Sequence, residues 1–352
     1  MKVGVVAPPW ERTPPLAYGG AEAVTALMVE GLVELGHEVT LVAAPGSFVE
    51  GAHVCTPLAH IPDEHYSWAE WRHVVPALEE LSDVEALVDH SGPLAALLAG
   101  SGRRPIAHVV HGPLHASGRA VYRAVAERSP GVRLIALSEA QRRLAPELPF
   151  MATCHNGVDH EAIAFRRSAD GYLVFLGRMA PEKGAVTAID VARRAGLPLM
   201  IAARCRRPDE QAYFRRFVEP ELGPDVVWLG ELTSEDKYEL LGGAAALIFP
   251  IAWDEPFGLV MIEAMACGTP VLATPCASVP EVVQEGVTGF IRADADGLAE
   301  AAGRLGELDR VACRRRVAER FSKSAMATAY DRVVRALASK GARRARRNGA
   351  PG

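Results

Sequence analysis

The sequence predicts an α/β protein built of two Rossmann-like domains, and three observations carry that reading. The first is length: 352 residues are more than one continuous core usually serves and enough for two domains that each bury their own. The second is a βαβ opening, in which KVGVVAP reads as a strand, GGAEAVTALMVEGLVELGHEV as a helix with apolar positions three and four apart, and VTLVAAP as a second strand. The third is that the theme restarts after the polar stretch RRSADG, where YLVFLGR, PEKGAVTAIDVARRAG and LPLMIAAR repeat strand, helix and strand. Strands alternating with helices make a parallel sheet covered on its faces.

The remaining elements follow in order. VEALVDHSG, RPIAHVVHG and VRLIALSE read as further strands or strand ends, and LPFMATCHNGVD closes the first half at an Asn-Gly turn. DVVWLGEL, AALIFPI and TPVLATP continue the second half. The split near residues 162–171 predicts a first domain over 1–165 and a second over 166–320, facing each other across a cleft. SKSAMATAYDRVVRALA reads as a closing helix, with Ser322 or Ser324 as its N-cap. Residues 339–352 carry five positive charges between Lys340 and Arg347 and read as a disordered tail. That tail is either a solubilising end or a weak contact with an anionic membrane surface. Between His60 and Glu85, Trp68 and Trp71 either pack inward from short helices or line an acceptor pocket.

Charge and composition exclude several classes. The net charge is −5, and outside the tail no basic stripe marks a nucleic-acid surface. No apolar window reaches membrane-spanning length, and the opening run meets two prolines too soon for a signal peptide. Six cysteines scattered without a CxxC pair predict buried free thiols in a reducing compartment, hence a cytoplasmic address. All eleven histidines lie at or before His160, with neither HExxH nor a tight His/Cys cluster, so no metal site is expected. No GxGxxG opens either domain, which argues against a nicotinamide-dependent oxidoreductase.

The chemistry concentrates in DEPFGLVMIEAMACGTPV, residues 254–271. Its first part ends a strand and loop, and LVMIEAMACG reads as a helix stopped by Gly268 and Pro270. Glu255 then sits ahead of the helix at its electropositive end, whereas Glu263 lies within it and needs a partner, from a ligand hydroxyl or from inside the protein. Between them Phe257, Gly258 and Leu259 present helix-start amides that can hold an anion. Two carboxylates for hydroxyls around a phosphate cradle fit a nucleotide sugar. GRMAPEKG adds Arg178 and Lys183 at a sheet's carboxyl edge, where two cations suit a diphosphate. YGGAE sets Gly19 and Gly20 before a helix as a second backbone cradle, and HVVHG puts His111 at the end of a strand, as a site residue or a satisfied core histidine.

YGGAE, CHNGVD, GRMAPEKG and EPFGLVMIEAMACGTPV, in chain order, resemble the retaining glycosyltransferases of family 4, whose fold is GT-B, over most of the chain. The resemblance implies that Arg178 and Lys183 grip the donor diphosphate, and that the Gly20 amide approaches its distal phosphate. Glu255 would hold sugar hydroxyls with the amides of Phe257 and Gly258, Leu259 would contact phosphate, and Glu263 would accept from the ribose. His111 would lie near the reaction centre, Asn156 and Asp159 would shape the crossing between domains, and a helix over 321–338 would cross back to the first domain. Arg204 and Glu231 stand where the donor's base and sugar are read, although AARCRRPDE replaces the glycine-rich turn of many relatives.

The implied reaction moves a sugar from a nucleotide-diphosphate sugar, UDP-linked first and GDP-linked second, to a glycan, lipid or natural-product hydroxyl, with no cofactor and no metal. Heavy use of Ala, Arg and Gly suggests an actinobacterial source and a role in antibiotic or other secondary-metabolite biosynthesis. The alternatives are a sugar-nucleotide epimerase on the same scaffold and a noncatalytic nucleotide-sugar-binding protein.

Overall fold

The computed structural model describes residues 1–17, 19–62, 67–99 and 106–348. Tyr18 of the YGGAE turn, part of the tryptophan-bearing segment (63–66), Arg104 and Pro105 of RPIAHVVHG, and the end of the tail (349–352) lie outside the described residues. Two compact units form, one from residues 1–15, 19–156 and the last helix, the other from Leu16, Ala17 and residues 157–322.

The first unit is a seven-stranded parallel sheet of β1 (Lys2–Val6), β2 (Glu38–Val42), β3 (His53–Cys55), β4 (Ala86–Asp89), β5 (Ile106–Val109), β6 (Val132–Ala136) and β7 (Phe150–Thr153), in the order β3-β2-β1-β4-β5-β6-β7. The second has six parallel strands, β8 (Leu173–Arg178), β9 (Leu199–Arg204), β10 (Val226–Gly230), β11 (Ala246–Phe249), β12 (Val271–Ala273) and β13 (Gly289–Ile291), in the order β10-β9-β8-β11-β12-β13. Each sheet is a Rossmann-like sheet that runs outward in both directions from a central pair, β1/β4 and β8/β11. β4, β5 and β11 are buried along their whole length, as apolar strands sandwiched between helices must be. Neither β3 nor β13, each of three residues, carries enough pattern to be read from sequence.

The central pairs position the chemistry. Where neighbouring strands lead away in opposite directions, their carboxyl-end loops part and leave a crevice for ligands. The loop after β1 in the first unit, and the loops after β8 and β11 in the second, carry most of the residues singled out by sequence.

Three expectations need correction. The closing helix starts at Lys323 and continues to Asn348, so Lys340–Arg347 is helical rather than disordered. Ala and Arg dominate that stretch and favour a helix, and no proline interrupts it before Pro351. The tryptophan-bearing segment folds into one helix, Ser67–Glu80, whose Trp68 and Trp71 are 74% and 42% exposed instead of packing inward. Of the six free cysteines, Cys154, Cys267 and Cys313 are buried while Cys55, Cys205 and Cys276 are partly exposed. Burial pushes each of the three buried thiols up to about 12. Among the described residues no helix is long and apolar enough to cross a membrane.

Candidate functional site

In the second unit, parallel pairing sets Arg178 and Arg204 side by side on the last rung of β8 and β9. Both guanidinium groups turn to the carboxylate of Glu210, Arg204 at 3.1 Å and Arg178 at 3.7 Å. Glu210 is buried, and its other oxygen accepts the backbone N–H groups of Arg206 (2.9 Å) and Arg207 (3.1 Å), where the helix Pro208–Tyr213 begins. Burial raises its pKa, but those amides and Arg204 outweigh it and leave the group below the ordinary carboxylate range. This is how the chain orders AARCRRPDE without a glycine-rich turn. Arg178 also donates to Glu182 at 2.5 Å.

The loop after β8 makes a single 3-10 turn, Pro181–Lys183, and is stitched to the loop after β11. Ala252 N–H donates to the Glu182 carbonyl at 3.0 Å. Gly184, at φ 80°, lies so close to Pro250 that a β-carbon there would stand 2.3 Å from the Pro250 carbonyl oxygen. The stitch brings Lys183 onto Glu255 as an ion pair, and the Lys183 ammonium lies 4.5 Å from the ring centroid of Trp253. The indole N–H of Trp253 is buried, with no hydrogen-bond partner among the described residues.

Past Glu255, the helix Leu259–Ala266 starts at Gly258, and no side chain caps it. Its first amides therefore have no side-chain acceptor from a cap. Phe257 is buried edge-on to Phe321, 5.8 Å between ring centroids, so its side chain is core and only its backbone serves the loop. Glu263 has an internal partner that the sequence did not reveal: Lys237, on the helix Ser234–Gly243, at 2.6 Å. Tyr238, beside Lys237 on the same helix, lies near this carboxylate. Burial, reinforced by the Glu263 charge, pushes the phenol well above its ordinary value. Glu231 stands apart from this group and forms a two-pronged pair with Arg206, at 2.7 and 2.8 Å. Asp159 caps a turn by accepting from Ala162 N–H at 3.3 Å, and Asn156, in the first unit, is buried.

In the first unit, Gly19 is the N-cap of the helix Gly20–Glu34 after β1, and His111 follows β5. His111 is partly exposed, and its Nε2 lies 2.8 Å from Nδ1 of the buried His90 at the end of β4. Behind them Asp89 bonds His108 at 2.5 Å, and His108 bonds the Tyr122 hydroxyl at 3.1 Å. Burial, with the His108 charge adding to it, lowers the His111 pKa to about 4. At neutral pH its ring is an uncharged donor and acceptor, not a cation. A separate trio, His53, Cys55 and Glu80, brings ligating atoms within 4.8 Å of one another on the edge strand β3 and the end of the helix Ser67–Glu80. The sequence showed no such cluster because Glu80 is remote in the chain.

Comparison with known proteins agrees with the architecture. Residues 18–162 match the family described as Glycosyltransferase Family 4, and residues 170–307 match the family described as Glycosyl transferases group 1. The crystal structure of AviGT4, a glycosyltransferase involved in avilamycin A biosynthesis, is 24% identical, superposes with a TM-score of 0.71, and aligns over 96% of this chain and 98% of its own. HepE of Anabaena in complex with UDP and glucose is 18% identical with a TM-score of 0.72, over 96% of this chain and 100% of its own. The fold is therefore GT-B. Alpha-maltose-1-phosphate synthase of Mycobacterium tuberculosis is 35% identical over 141 residues, which are 38% of this chain and 36% of that enzyme. The matched stretch thus spans about a third of that curated relative's length. The chain is homologous to the family 4 glycosyltransferases.

Proposed function

We propose that the protein transfers a sugar, with retention of anomeric configuration, from a nucleotide-diphosphate sugar to an acceptor hydroxyl. The observation that carries this reading is the set of polar groups at the β8/β11 crevice: Arg178, Lys183 and Arg204 beside uncapped helix amides, with Glu255 and Glu263 on either side. The cations and the amides would take the diphosphate, Glu255 the sugar hydroxyls and Glu263 the ribose. Lys237 occupies only part of the Glu263 carboxylate, which has about four lone-pair sites.

The acceptor oxygen attacks the anomeric carbon as the bond to the diphosphate breaks on the same face, and the acceptor proton passes to the departing diphosphate oxygen. No side-chain nucleophile enters this scheme. Catalysis is positioning and electrostatic stabilisation of the leaving group. Arg178 holds Glu182 and Lys183 holds Glu255, so the diphosphate would exchange with those carboxylates. A UDP-sugar is the first donor to test, in keeping with the UDP and glucose bound to HepE, and a GDP-sugar the second. The avilamycin relative supports a natural-product acceptor and a role in secondary metabolism. A cytoplasmic address suits a nucleotide-sugar donor.

Calorimetric titration with UDP, GDP, ADP and dTDP tests the reading. UDP is expected to bind tightest, and Arg178→Ala and Glu263→Ala are each expected to weaken it by about tenfold or more, the size of a charged hydrogen bond. Absence of binding by all four nucleotides would sink the assigned donor site.

A further inference from the structure

Among the polar groups of the first unit, His90 has no part in the reaction just described, yet it is buried and directly bonded to His111, which the family resemblance sets near the reaction centre. We propose that His90 is a positioning residue that fixes the tautomer of His111, so that His111 presents an Nδ1–H donor to the substrate; this rests on the glycosyltransferase reading for the donor's task, though not for the tautomer.

The argument is one of proton accounting. The 2.8 Å contact between His90 Nδ1 and His111 Nε2 holds one proton, and two arrangements supply it. If His111 Nε2–H donates, His90 must carry its own proton on Nε2. That atom is buried and has no hydrogen-bond partner among the described residues, so this arrangement strands a donor in the interior. If His90 Nδ1–H donates instead, its Nε2 is a bare lone pair and no donor is lost. Orphaned buried donors are rarer than under-satisfied acceptors, which selects the second arrangement. His111 Nε2 is then an acceptor and its proton sits on Nδ1, which has no protein partner among the described residues.

The surroundings keep both rings neutral, as the arrangement requires. Burial, then the charges of His111 and His108, lowers the His90 pKa far below its ordinary value. Tyr330 of the last helix packs over the His90 ring, 5.9 Å between centroids, and helps to enclose it. Asp89 is committed elsewhere: its two carboxylate oxygens take His108 Nδ1 and the backbone and hydroxyl of Ser91. His90 therefore governs His111 through a single hydrogen bond. The result is a neutral donor held at a defined position, fit to bond a sugar hydroxyl and unable to act as a general acid through a charged ring at neutral pH.

The test is nitrogen-resolved imidazole NMR on the full chain with labelled histidine, read beside turnover. The wild type should show His111 protonated on Nδ1 and bare on Nε2. His90→Asn, whose amide places an N–H near the lost Nδ1, should keep that tautomer and keep kcat within about threefold of wild type, whereas His90→Phe should lose it and lower kcat by about a hundredfold with little change in KM, the size of losing one preorganised donor. Protonation of His111 on Nε2 in the wild type, or equal losses in both variants, would overturn the proposal. Because the tautomer is read without substrate, failure of the glycosyltransferase reading would leave the spectra as expected and abolish only the turnover.

Discussion

Gly184→Ala should destabilise the second unit by about 3–5 kcal/mol and abolish nucleotide binding, among the largest effects open to a single methyl group. Two costs add. An L-residue at φ 80° pays about 1–3 kcal/mol in backbone strain. The new β-carbon would also sit 2.3 Å from the Pro250 carbonyl oxygen, so one of the two loops must move. Those loops bring Lys183 onto Glu255, and separating them leaves two half-buried charges without partners. Gly196→Ala is the control: Gly196 has φ 66° but open space around its missing side chain, so strain is its only cost. Urea denaturation followed by UDP titration of both variants reads the difference. Equal stability in the two would show that the close approach at Pro250 carries no energy.

The second large effect is acid lability confined to the first unit. Burial lowers the pKa values of His73, His90 and His111, the last to about 4. The unfolded chain takes up these protons near pH 6.5 while the folded unit refuses them, so falling pH favours unfolding. Stability is complete above about pH 6.5 and declines toward pH 4, with His111 alone contributing a loss on the order of 2 kcal/mol at pH 5. The second unit holds a single histidine, His160, and has no comparable load. Hydrogen exchange resolved by peptide at pH 7.5 and pH 5, corrected for intrinsic rates, should show protection falling in β1, β4 and β5 while β8, β9 and β11 hold. A uniform response across both sheets would contradict the assignment.

Both predictions draw on contacts that the sequence disclosed unevenly. The strands of both sheets were legible wherever an apolar run was long enough, as in KVGVV or YLVFLGR, and the order of loops followed from the βαβ repeat. The positions of Arg178, Lys183, Glu255 and Glu263 on their loops and helix were also legible, because glycine and proline punctuate those segments. What could not be read was pairing across elements. Lys237 reaches Glu263 from a different helix, Glu210 gathers two arginines from adjacent strands, and His90 meets His111 across β4 and β5. Periodicity reports which face of an element is buried, not which side chains of two elements meet. Trp253 was hidden for the same reason, as an aromatic in a loop whose partner, Lys183, comes from another.

The interruption of the first unit by residues 157–322 sets an order of events during synthesis. A chain emerging from the ribosome N-terminus first can complete the second unit, whose ends already meet where Val158 N–H donates to the Phe321 carbonyl. The first unit must wait, because its last helix supplies Met326, Tyr330, Val333, Val334 and Leu337 to the core and seats Ala327 against Gly31. Until that helix is released, the half synthesised earliest leaves bare the apolar surface that these residues cover.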